Sequence, residues 1–327
     1  MAGQVDPADG AAAFAAIDRA LAEAGAHAPA AVGHRIVHGG PKLLQHCIVD
    51  DAVLRELQLA EPFAPLHVPA ALKLLEAATA RYPGRPQIAC FDTAFHAAMP
   101  TIARTLPIPR GLRADGIHRY GFHGLSCESV VDQLGEDLPA RLVIAHLGNG
   151  ASVTAVRAGR SVDTSMGLTP TGGVVMSTRS GDMDPGVLIH LMRTQGCNPD
   201  ELEQLVDKQA GMLGVSGLSG DMRVLHAASP HADADLAVAM FCRSVAKQIA
   251  AMMVVLGGAD MVVFTGGIGE NDPVVRRMIC DDLAWAGIVP PGSGAFPRRP
   301  QGCTAKTLPS LEEARIARHM HAILAPR

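Results

Sequence analysis

Apolar and polar positions alternate through the middle of the chain in a pattern typical of β-strands. Three extended runs, Leu142–Ala145, Ser152–Val156 and Ser161–Met166, follow one another with short glycine-containing turns between them. Strands joined by turns of this length pair with their neighbours in antiparallel order. We therefore predict a three-stranded meander whose first turn is formed by residues 148–150.

Helical spacing of apolar residues predicts the other regular elements. Phe14, Ile17 and Leu21 lie on one face of a helix over Ala11–Ala24, and Gly25 follows as a stop signal. Further helices are predicted at Ala70–Ala80, from Asn198 to Gln209, at Leu236–Leu256, from Pro273 to Cys280, and at Ser310–His321. A short strand is predicted at Val32–Val37, and buried strands are predicted at Gln87–Thr93 and Met261–Thr265.

The longest apolar stretch, Leu236–Leu256, is interrupted by Arg243 and Lys247. A membrane span would not carry two charges in the middle of its apolar core. The two cations and the neighbouring Gln248 form one polar stripe, so we predict a core helix and no membrane partner.

Composition narrows the function classes. With 327 residues, 48% of them hydrophobic, the chain can bury a large core, and we predict two domains. A net charge of −4 and 3% aromatic residues provide neither a basic surface nor stacking platforms, so we expect no nucleic-acid partner. The seven cysteines include no C-x-x-C pair, which argues against a zinc site and a disulfide framework. The opening residues have no basic region before an apolar core, so we expect a cytoplasmic protein without a signal peptide.

Two stretches carry candidate phosphate chemistry. The Gly148-Asn149-Gly150 turn allows backbone N–H groups to approach an anion, although Asn-Gly taken alone favours an ordinary hairpin turn. Arg179 lies among small residues in the stretch Ser177–Asp182, where a cation can stabilise a phosphoryl group during transfer.

A third glycine-rich stretch, Gly266–Asn271, follows a buried strand and precedes an Asp272-Pro273 helix start. A strand, a glycine loop and a helix N-terminus in this order favour binding of an anion or a nucleotide. The dinucleotide fingerprint requires a third glycine where Asp272 stands, and the chain contains no P-loop motif, so both of those classes are disfavoured.

The N-terminal third offers isolated polar candidates. Arg35, between two histidines and before a double glycine, is either a solvated strand residue or a clamp for a carboxylate or phosphate. Asp92 ends a buried strand, a position that faces the ligand in open α/β sheets. His67 and His123 taken alone carry a weak signal, since isolated histidines are more often structural.

Taken together, the motifs HRIVHGG, APLH, FDTAFH, YGFHG, HLGNGAS, TRSGDMDPG and TGGIGEN resemble the acetokinase family in order and approximate spacing. The resemblance covers about Val32 to Ala317. It implies an α/β, actin-like fold of the sugar kinase and Hsp70 type, with two domains of related βββαβα topology. It also implies phosphoryl transfer from ATP to acetate, giving ADP and acetyl phosphate, with Mg²⁺ or Mn²⁺ and usually as a homodimer.

The resemblance implies a domain division and several residue roles. Residues 1–94, with the C-terminal helix 314–327, match the acyl-substrate domain, and residues 95–313 match the nucleotide-binding and dimerisation domain. Arg35 matches the arginine that binds the substrate carboxylate, and His67 matches a further active-site histidine. His123 and Arg179 match the pair that stabilises the phosphoryl group in flight. Glu312 matches the glutamate linked to Mg²⁺.

The remaining roles concern binding. The small apolar pocket around the acetate methyl group is matched by Val37, Leu66, Phe122 and Pro170. The loop on the nucleotide phosphates is matched by His146, Leu147, Gly148, Asn149 and Gly150. The adenosine-binding segments are matched by Asp221, Met222, Arg223, Gly267, Ile268, Gly269, Glu270 and Asn271.

Asp92 matches the residue that the family treats as a catalytic proton donor or acceptor. The carboxyl group of acetate should have a pKa of roughly 4–5, so acetate is ionised at neutral pH and needs no base. We expect instead that Asp92 orients Arg35 or a metal-bound water.

The sequence departs from the family pattern in three places. The family opens with a strand–turn–strand that carries an asparagine and a serine-rich phosphate turn, whereas this sequence begins at the helix before HRIVHGG. We therefore expect an incomplete N-terminal domain, which keeps open a catalytically impaired nucleotide-binding relative. Residues 171–173 and Val68 also differ from the usual residues, and a propionate or butyrate kinase is a further alternative because one methylene is worth only about 1–3 kcal/mol.

Overall fold

The computed structural model describes residues 10–25, 28–65, 67–288, 290–292 and 302–325. The chain divides into two compact units, a first unit of Met1–Ala94 with Glu313–Arg327 and a second unit of Phe95–Glu312. The helices are α1 (Gly10–Glu23), α2 (Asp51–Leu59), α3 (Val68–Arg81), α4 (Thr101–Arg104), α5 (Gly124–Leu134), α6 (Pro185–Gln195), α7 (Pro199–Gln204), α8 (Gly211–Ser216), α9 (Met222–Ala228), α10 (Ala232–Leu256), α11 (Gly266–Asn271), α12 (Pro273–Asp282) and α13 (Glu312–Leu324). The strands are β1 (Val32–Ile36), β2 (Cys47–Ile48), β3 (Gln87–Phe91), β4 (Arg141–Leu147), β5 (Ala151–Arg157), β6 (Arg160–Thr164), β7 (Met261–Thr265) and β8 (Thr304–Thr307).

The first unit contains a three-stranded sheet in the order β1-β3-β2. Strands β1 and β3 are parallel, with Arg35 in register with Cys90, and β2 is antiparallel to β3. All five residues of β3 are buried, which agrees with the continuous apolar run in the sequence. The core on this sheet is built from Ile36, Leu57, Leu75, Ala89 and Phe91.

The second unit contains a five-stranded sheet in the order β6-β5-β4-β7-β8. The antiparallel pairs β4–β5 and β5–β6 form the meander expected from the sequence. Strands β7 and β8 extend the sheet in parallel to β4, so that the carboxyl ends of β4 and β7 lie at the same edge. His146 is in register with Thr265 at that edge.

The long helix α10 packs against β4 and β5 and against α8 and α12. By length and composition it is the one helix of the described residues apolar enough to cross a membrane, and such a test is also passed by core helices of proteins that have no membrane span. Its buried residues include Phe241, Val245 and Ile249, spaced as one face of a helix. This face supports the sequence-based prediction of a core helix.

The structure differs from the sequence-based predictions in two elements of the second unit. The helix predicted from Asn198 to Gln209 is an α-helix only to Gln204 and continues as a π-helix over Leu205–Gln209. The stretch Gly266–Asn271, predicted as a glycine loop, forms the short helix α11. The carboxylate of Glu270 accepts the Gly266 N–H at 3.0 Å, which caps this helix despite its glycines.

Candidate active site

In the first unit, Arg35 and Asp92 form a two-pronged ion pair at the carboxyl ends of the parallel strands β1 and β3. Arg35 Nη2 donates to Asp92 Oδ2 at 2.8 Å, and Arg35 Nε lies 3.1 and 3.0 Å from Oδ1 and Oδ2. The Asp92 side chain is 2% exposed, whereas that of Arg35 is 41% exposed. A buried carboxylate therefore holds a guanidinium that still reaches solvent, which is the arrangement of an oriented anion-binding arginine.

Other predicted residues of the first unit lie near the ends of its elements. Val37 is partly buried and directly follows β1, and His67 is the residue before α3. Leu66, predicted to line the acetate pocket, lies outside the described residues.

In the second unit, the hairpin loop of residues 148–150 joins β4 to β5 at the edge where β7 also ends. Asn149 contacts the Arg179 segment, since its carbonyl accepts the Ser177 N–H at 3.3 Å. The backbone also approaches the second glycine-rich stretch, because a Cβ on Gly266, which has φ +77°, would lie 2.8 Å from the Leu147 carbonyl oxygen. The hairpin loop, the Arg179 segment and the Gly266–Asn271 stretch, which were identified separately in the sequence, therefore lie at one edge of the sheet.

Gly150 marks the point on which Arg179 and His123 converge. A Cβ at Gly150 would lie 3.2 Å from Arg179 Nη1 and 3.3 Å from His123 Nε2. Any larger residue would press into both groups, so the glycine leaves room for a ligand or a transition state beside two donors. An ordinary hairpin turn would not explain why a guanidinium and an imidazole lie beside the same glycine.

Arg179 is partly buried. Its Nη1 lies 3.4 Å from the Pro170 carbonyl oxygen. Burial lowers the pKa of Arg179, while the negative charge of Asp207 acts in the opposite direction and supports the guanidinium form. A guanidinium remains protonated in proteins, so this site presents a fixed positive charge with little water around it.

His123 adopts a backbone conformation that is rare for a residue with a side chain. Its φ is +58° at the position before α5, in the left-handed region. Such strain costs roughly 1–2 kcal/mol and is typical of functional sites. The ring is held between Ser152 Oγ, 3.0 Å from Nδ1, and the ring of His146, stacked at 4.1 Å between centroids.

His96, which carried no assigned role in the sequence, fixes the backbone that presents Phe122. Its Nε2 lies 2.9 Å from the Phe122 carbonyl oxygen, and its Nδ1 lies 2.8 Å from Ser161 Oγ. The carbonyl can only accept, so the neutral ring donates from Nε2 and accepts the Ser161 hydroxyl at Nδ1. Gly121 permits this packing, because a Cβ there would lie 2.8 Å from the His96 ring.

We expect His96 to make the protein less stable in acid. Burial lowers the pKa of His96 to about 4, below its ordinary 6.5, so the unfolded chain binds more protons between these values. Stability should fall as the pH drops from 6.5 to 4, by up to about 3 kcal/mol from this group. Melting temperatures of the wild type and His96→Gln across that range measure the effect, because glutamine keeps a donor and an acceptor but does not titrate.

The matched control for this prediction is His321→Gln, which replaces an exposed histidine. The control should keep the wild-type dependence of melting temperature on pH, whereas His96→Gln should show a shallower one. Equal slopes for the wild type and His96→Gln would contradict the assignment.

Asp207, in the π-helix, is a residue that the sequence analysis missed. Its carboxylate accepts the Thr171 hydroxyl at 2.5 Å, and its backbone carbonyl accepts the Thr178 hydroxyl at 2.8 Å. Asp207 thus connects the segment that follows Pro170 with the segment that precedes Arg179. A π-helix is often found at functional sites, but no residue pattern marks one in a sequence.

A chain of side chains in the second unit connects His146 with Glu312. Ser126 Oγ lies 2.8 Å from His146 Nδ1 and 3.0 Å from Ser310 Oγ, which in turn lies 3.4 Å from Glu312 Oε1. Mg²⁺ prefers oxygen ligands and is commonly bound by one or two carboxylates together with substrate phosphates. The carboxylate of Glu312 suits such an ion, so the donor chemistry fits the metal that the resemblance implies.

The predicted adenosine-binding residues lie in two elements of the second unit. Asp221 caps α9 and binds Arg223 through both carboxylate oxygens, at 3.0 and 2.6 Å. The hydrogen bonds from Arg223 lower the pKa of Asp221 to about 2. Asn271 at the end of α11 donates from Nδ2 to the Gly267 carbonyl oxygen at 2.9 Å. Met222 is buried, and Gly269 packs within the helix.

Comparison with known proteins identifies the family of this chain. The model of the acetokinase family matches residues 5–303. An acetate kinase of Shewanella amazonensis is 49% identical over 261 residues, which cover 77% of this chain and 65% of that protein. The chain thus spans just under two thirds of the length of that relative.

Two solved structures resemble this one over most of the chain. The crystal structure of Porphyromonas gingivalis acetate kinase has a TM-score of 0.85 and 35% identity, covering 97% of this chain and 85% of that one. A propionate kinase from Francisella tularensis has a TM-score of 0.87 and 36% identity, covering 94% and 83%. The fold is therefore the actin-like α/β fold of these kinases, as the sequence predicted.

Proposed function

Because this chain belongs to the acetokinase family, we propose that it transfers the γ-phosphoryl group of ATP reversibly to acetate, giving acetyl phosphate and ADP. The observation that supports this most directly is the convergence of Arg179 and His123 on Gly150. Two donors at a phosphate-approaching hairpin suit the charge that spreads over a phosphoryl group in a loose transition state.

In the proposed reaction a carboxylate oxygen of acetate forms a bond to the γ-phosphorus. The bond from that phosphorus to the β,γ-bridging oxygen breaks, and ADP leaves with the electron pair. No proton has to move, because acetate is already ionised at neutral pH. The protein therefore has to position the reactants and stabilise charge, and it needs no general base.

The residues of each unit have distinct proposed tasks. In the first unit, the guanidinium of Arg35 binds the acetate carboxylate, and Asp92 acts as a positioning residue that holds the fork. In the second unit, the 146–150 segment approaches the nucleotide phosphates, and Arg179 and His123 donate to the moving phosphoryl oxygens. His146 supports the His123 ring through the stack between them.

The proposed substrate contacts also include binding residues. In the first unit, the proposed acetate-binding residues are Val37, Leu66 and His67. In the second unit, they are Phe122 and Pro170. Asp221–Arg223 and Gly267–Asn271 bind adenosine. Glu312 would hold Mg²⁺ or Mn²⁺, which when bound neutralises phosphate charge.

The test of this function is formation of acetyl hydroxamate from ATP, Mg²⁺ and acetate by the full chain. Propionate and butyrate serve as parallel acceptors, because the similarity to a propionate kinase supports a longer acyl substrate as the second candidate. The acceptor with the highest kcat/KM identifies the substrate. Nucleotide binding without turnover on any of the three would overturn the proposal in favour of a non-catalytic relative.

We also propose that the protein is a cytoplasmic homodimer and that α6 contributes to its interface. None of the 11 residues of this helix is buried. Three of its apolar side chains are largely accessible to solvent: Val187 is 40% exposed, and Ile189 and Met192 are each 47% exposed. Ile189 and Met192 are three residues apart and therefore lie on one face of the helix, and exposed apolar side chains grouped in this way are typical of an interaction surface.

Ile189→Glu is expected to shift the protein toward monomers, because a charge in the centre of an apolar interface is costly. Analytical ultracentrifugation at micromolar concentration measures the change, and Gln195→Glu on the same helix is the control. A wild type that is monomeric at that concentration, or an Ile189→Glu variant that stays dimeric, would remove α6 from the interface.

A further inference from the structure

A small cavity in the second unit is lined entirely by residues that can donate hydrogen bonds. Its lining residues are Thr101, Arg104, Thr105, Arg113 and His118, and its volume is about 140 Å³. The cavity is open to solvent, and about 10–15 Å³ of such space is enough for one water molecule, so it admits several waters or a small tetrahedral oxyanion.

The guanidinium of Arg104 is oriented by a neutral partner. Arg104 Nη2 lies 3.1 Å from His118 Nε2, and His118 Nδ1 lies 2.9 Å from the Arg119 carbonyl oxygen. Since arginine only donates and a carbonyl only accepts, the His118 ring is protonated on Nδ1 and accepts at Nε2. Burial and the Arg104 charge both lower the pKa of His118, so the ring stays uncharged near neutral pH. His118 therefore fixes the direction of Arg104 without cancelling its charge.

The two arginines of the cavity have no anionic partner in the part of the chain that the structure describes. Ion pairs are found at Arg119–Asp163 and elsewhere, but none includes Arg104 or Arg113. Two guanidinium groups that line one small cavity repel each other, and this repulsion is relieved when an anion binds between them.

Hydrogen bonds and a ring stack within the protein hold the walls of the cavity together. The Arg119 N–H donates to the Arg104 carbonyl oxygen at 2.8 Å, and Arg119 Nε donates to the Ala103 carbonyl oxygen at 3.1 Å. The ring of Tyr120 stacks on that of His118 at 4.0 Å between centroids. Such preorganisation lowers the entropy cost of binding.

We propose that this cavity is a binding site for a tetrahedral oxyanion of the inorganic phosphate type. Arg104 and Arg113 supply the charged donors, and the hydroxyls of Thr101 and Thr105, four residues apart along α4 and its end, supply neutral ones. None of these residues is among those assigned to phosphoryl transfer, so the site does not depend on the proposed function.

The test is calorimetric titration of the full chain with inorganic phosphate. The wild type should bind with a Kd below about 1 mM. Arg113→Ala removes an exposed arginine and should weaken binding by about tenfold or more, as should Arg104→Ala, since each loses a charge-assisted hydrogen bond. Arg110→Ala is the matched control, because Arg110 is exposed in the same segment and does not line the cavity, and its binding should equal that of the wild type.

Arg179→Ala separates this site from the candidate active site. Phosphate binding that survives in Arg179→Ala and is lost in Arg113→Ala supports the proposal, whether or not the protein is an active kinase. Hydrogen exchange should also slow in residues 101–118 when phosphate is added. The proposal is overturned if phosphate does not bind at millimolar concentration, if Arg113→Ala and Arg104→Ala bind as the wild type does, or if only Arg179→Ala loses binding.

Discussion

Arg179→Ala is expected to lower kcat for acetyl phosphate formation by about 10²–10³, the usual loss for one donor to a transition state. The KM for ATP should change much less, because the guanidinium stabilises charge that develops only during transfer. Partial burial reduces the screening of the Arg179 charge by solvent, which strengthens its interaction with the developing charge.

The matched control for Arg179 is Arg160→Ala, an exposed arginine at the start of β6, which should keep the wild-type kcat. Arg179→Lys should retain part of the rate, because it keeps a positive charge but loses the planar fork. Melting temperatures of all variants show whether the fold is intact. An unchanged kcat in a folded Arg179→Ala protein would remove this residue from the mechanism.

Arg35→Ala is expected to raise the KM for acetate at least tenfold and to leave nucleotide affinity close to that of the wild type. The lost contact is a charge-assisted, two-pronged interaction with a carboxylate, which contributes about 1.5–3 kcal/mol. Steady-state kinetics with acetate and calorimetry with ADP give the two quantities. Loss of ADP binding would assign Arg35 to the nucleotide instead.

Asp92→Asn tells apart a positioning role and a base role for Asp92. If Asp92 orients Arg35, the substitution should raise the KM for acetate and leave the shape of the pH–rate profile unchanged. If Asp92 is a general base, kcat should fall and the acidic limb of the profile should disappear. Glu56→Gln is the control, because it breaks an exposed ion pair with Lys42 in the same unit without touching Arg35.

Much of the sheet architecture follows from the sequence, because strand periodicity and glycine turns are local signals. The meander and β7 were predicted on that basis. Helix α11 was not, since three of its six residues are glycines and its cap comes from Glu270 through a contact visible only in three dimensions. Helix α6 was missed although Asp184 and Pro185 carry the same start signal that identified α12.

Some parts of the candidate site could be predicted from the sequence, and others could not. The local signals marked Arg35 and Asp92 separately, and the family resemblance led to the expectation that Asp92 orients Arg35 or a metal-bound water. The contacts that hold His146 could not be predicted, since Ser126 and Ser310 are far apart in the chain and a serine hydroxyl leaves no periodic pattern. Asp207 could not be predicted for the same reason, since its partners Thr171 and Thr178 are far from it in the chain.

The first unit is closed by a helix that arrives late in synthesis. Ile316 and Met320 of α13 pack so tightly on Gly33 of β1 that a Cβ there would lie 2.5 Å from each, and the ring of His319 lies 3.9 Å from that of His46. On the ribosome, β1 to β3 emerge before any residue of the second unit, whereas α13 emerges only after all of it. The Gly33 face of the nascent first unit therefore stays uncovered until the second unit has been synthesised, and exposed apolar surface of this kind favours aggregation.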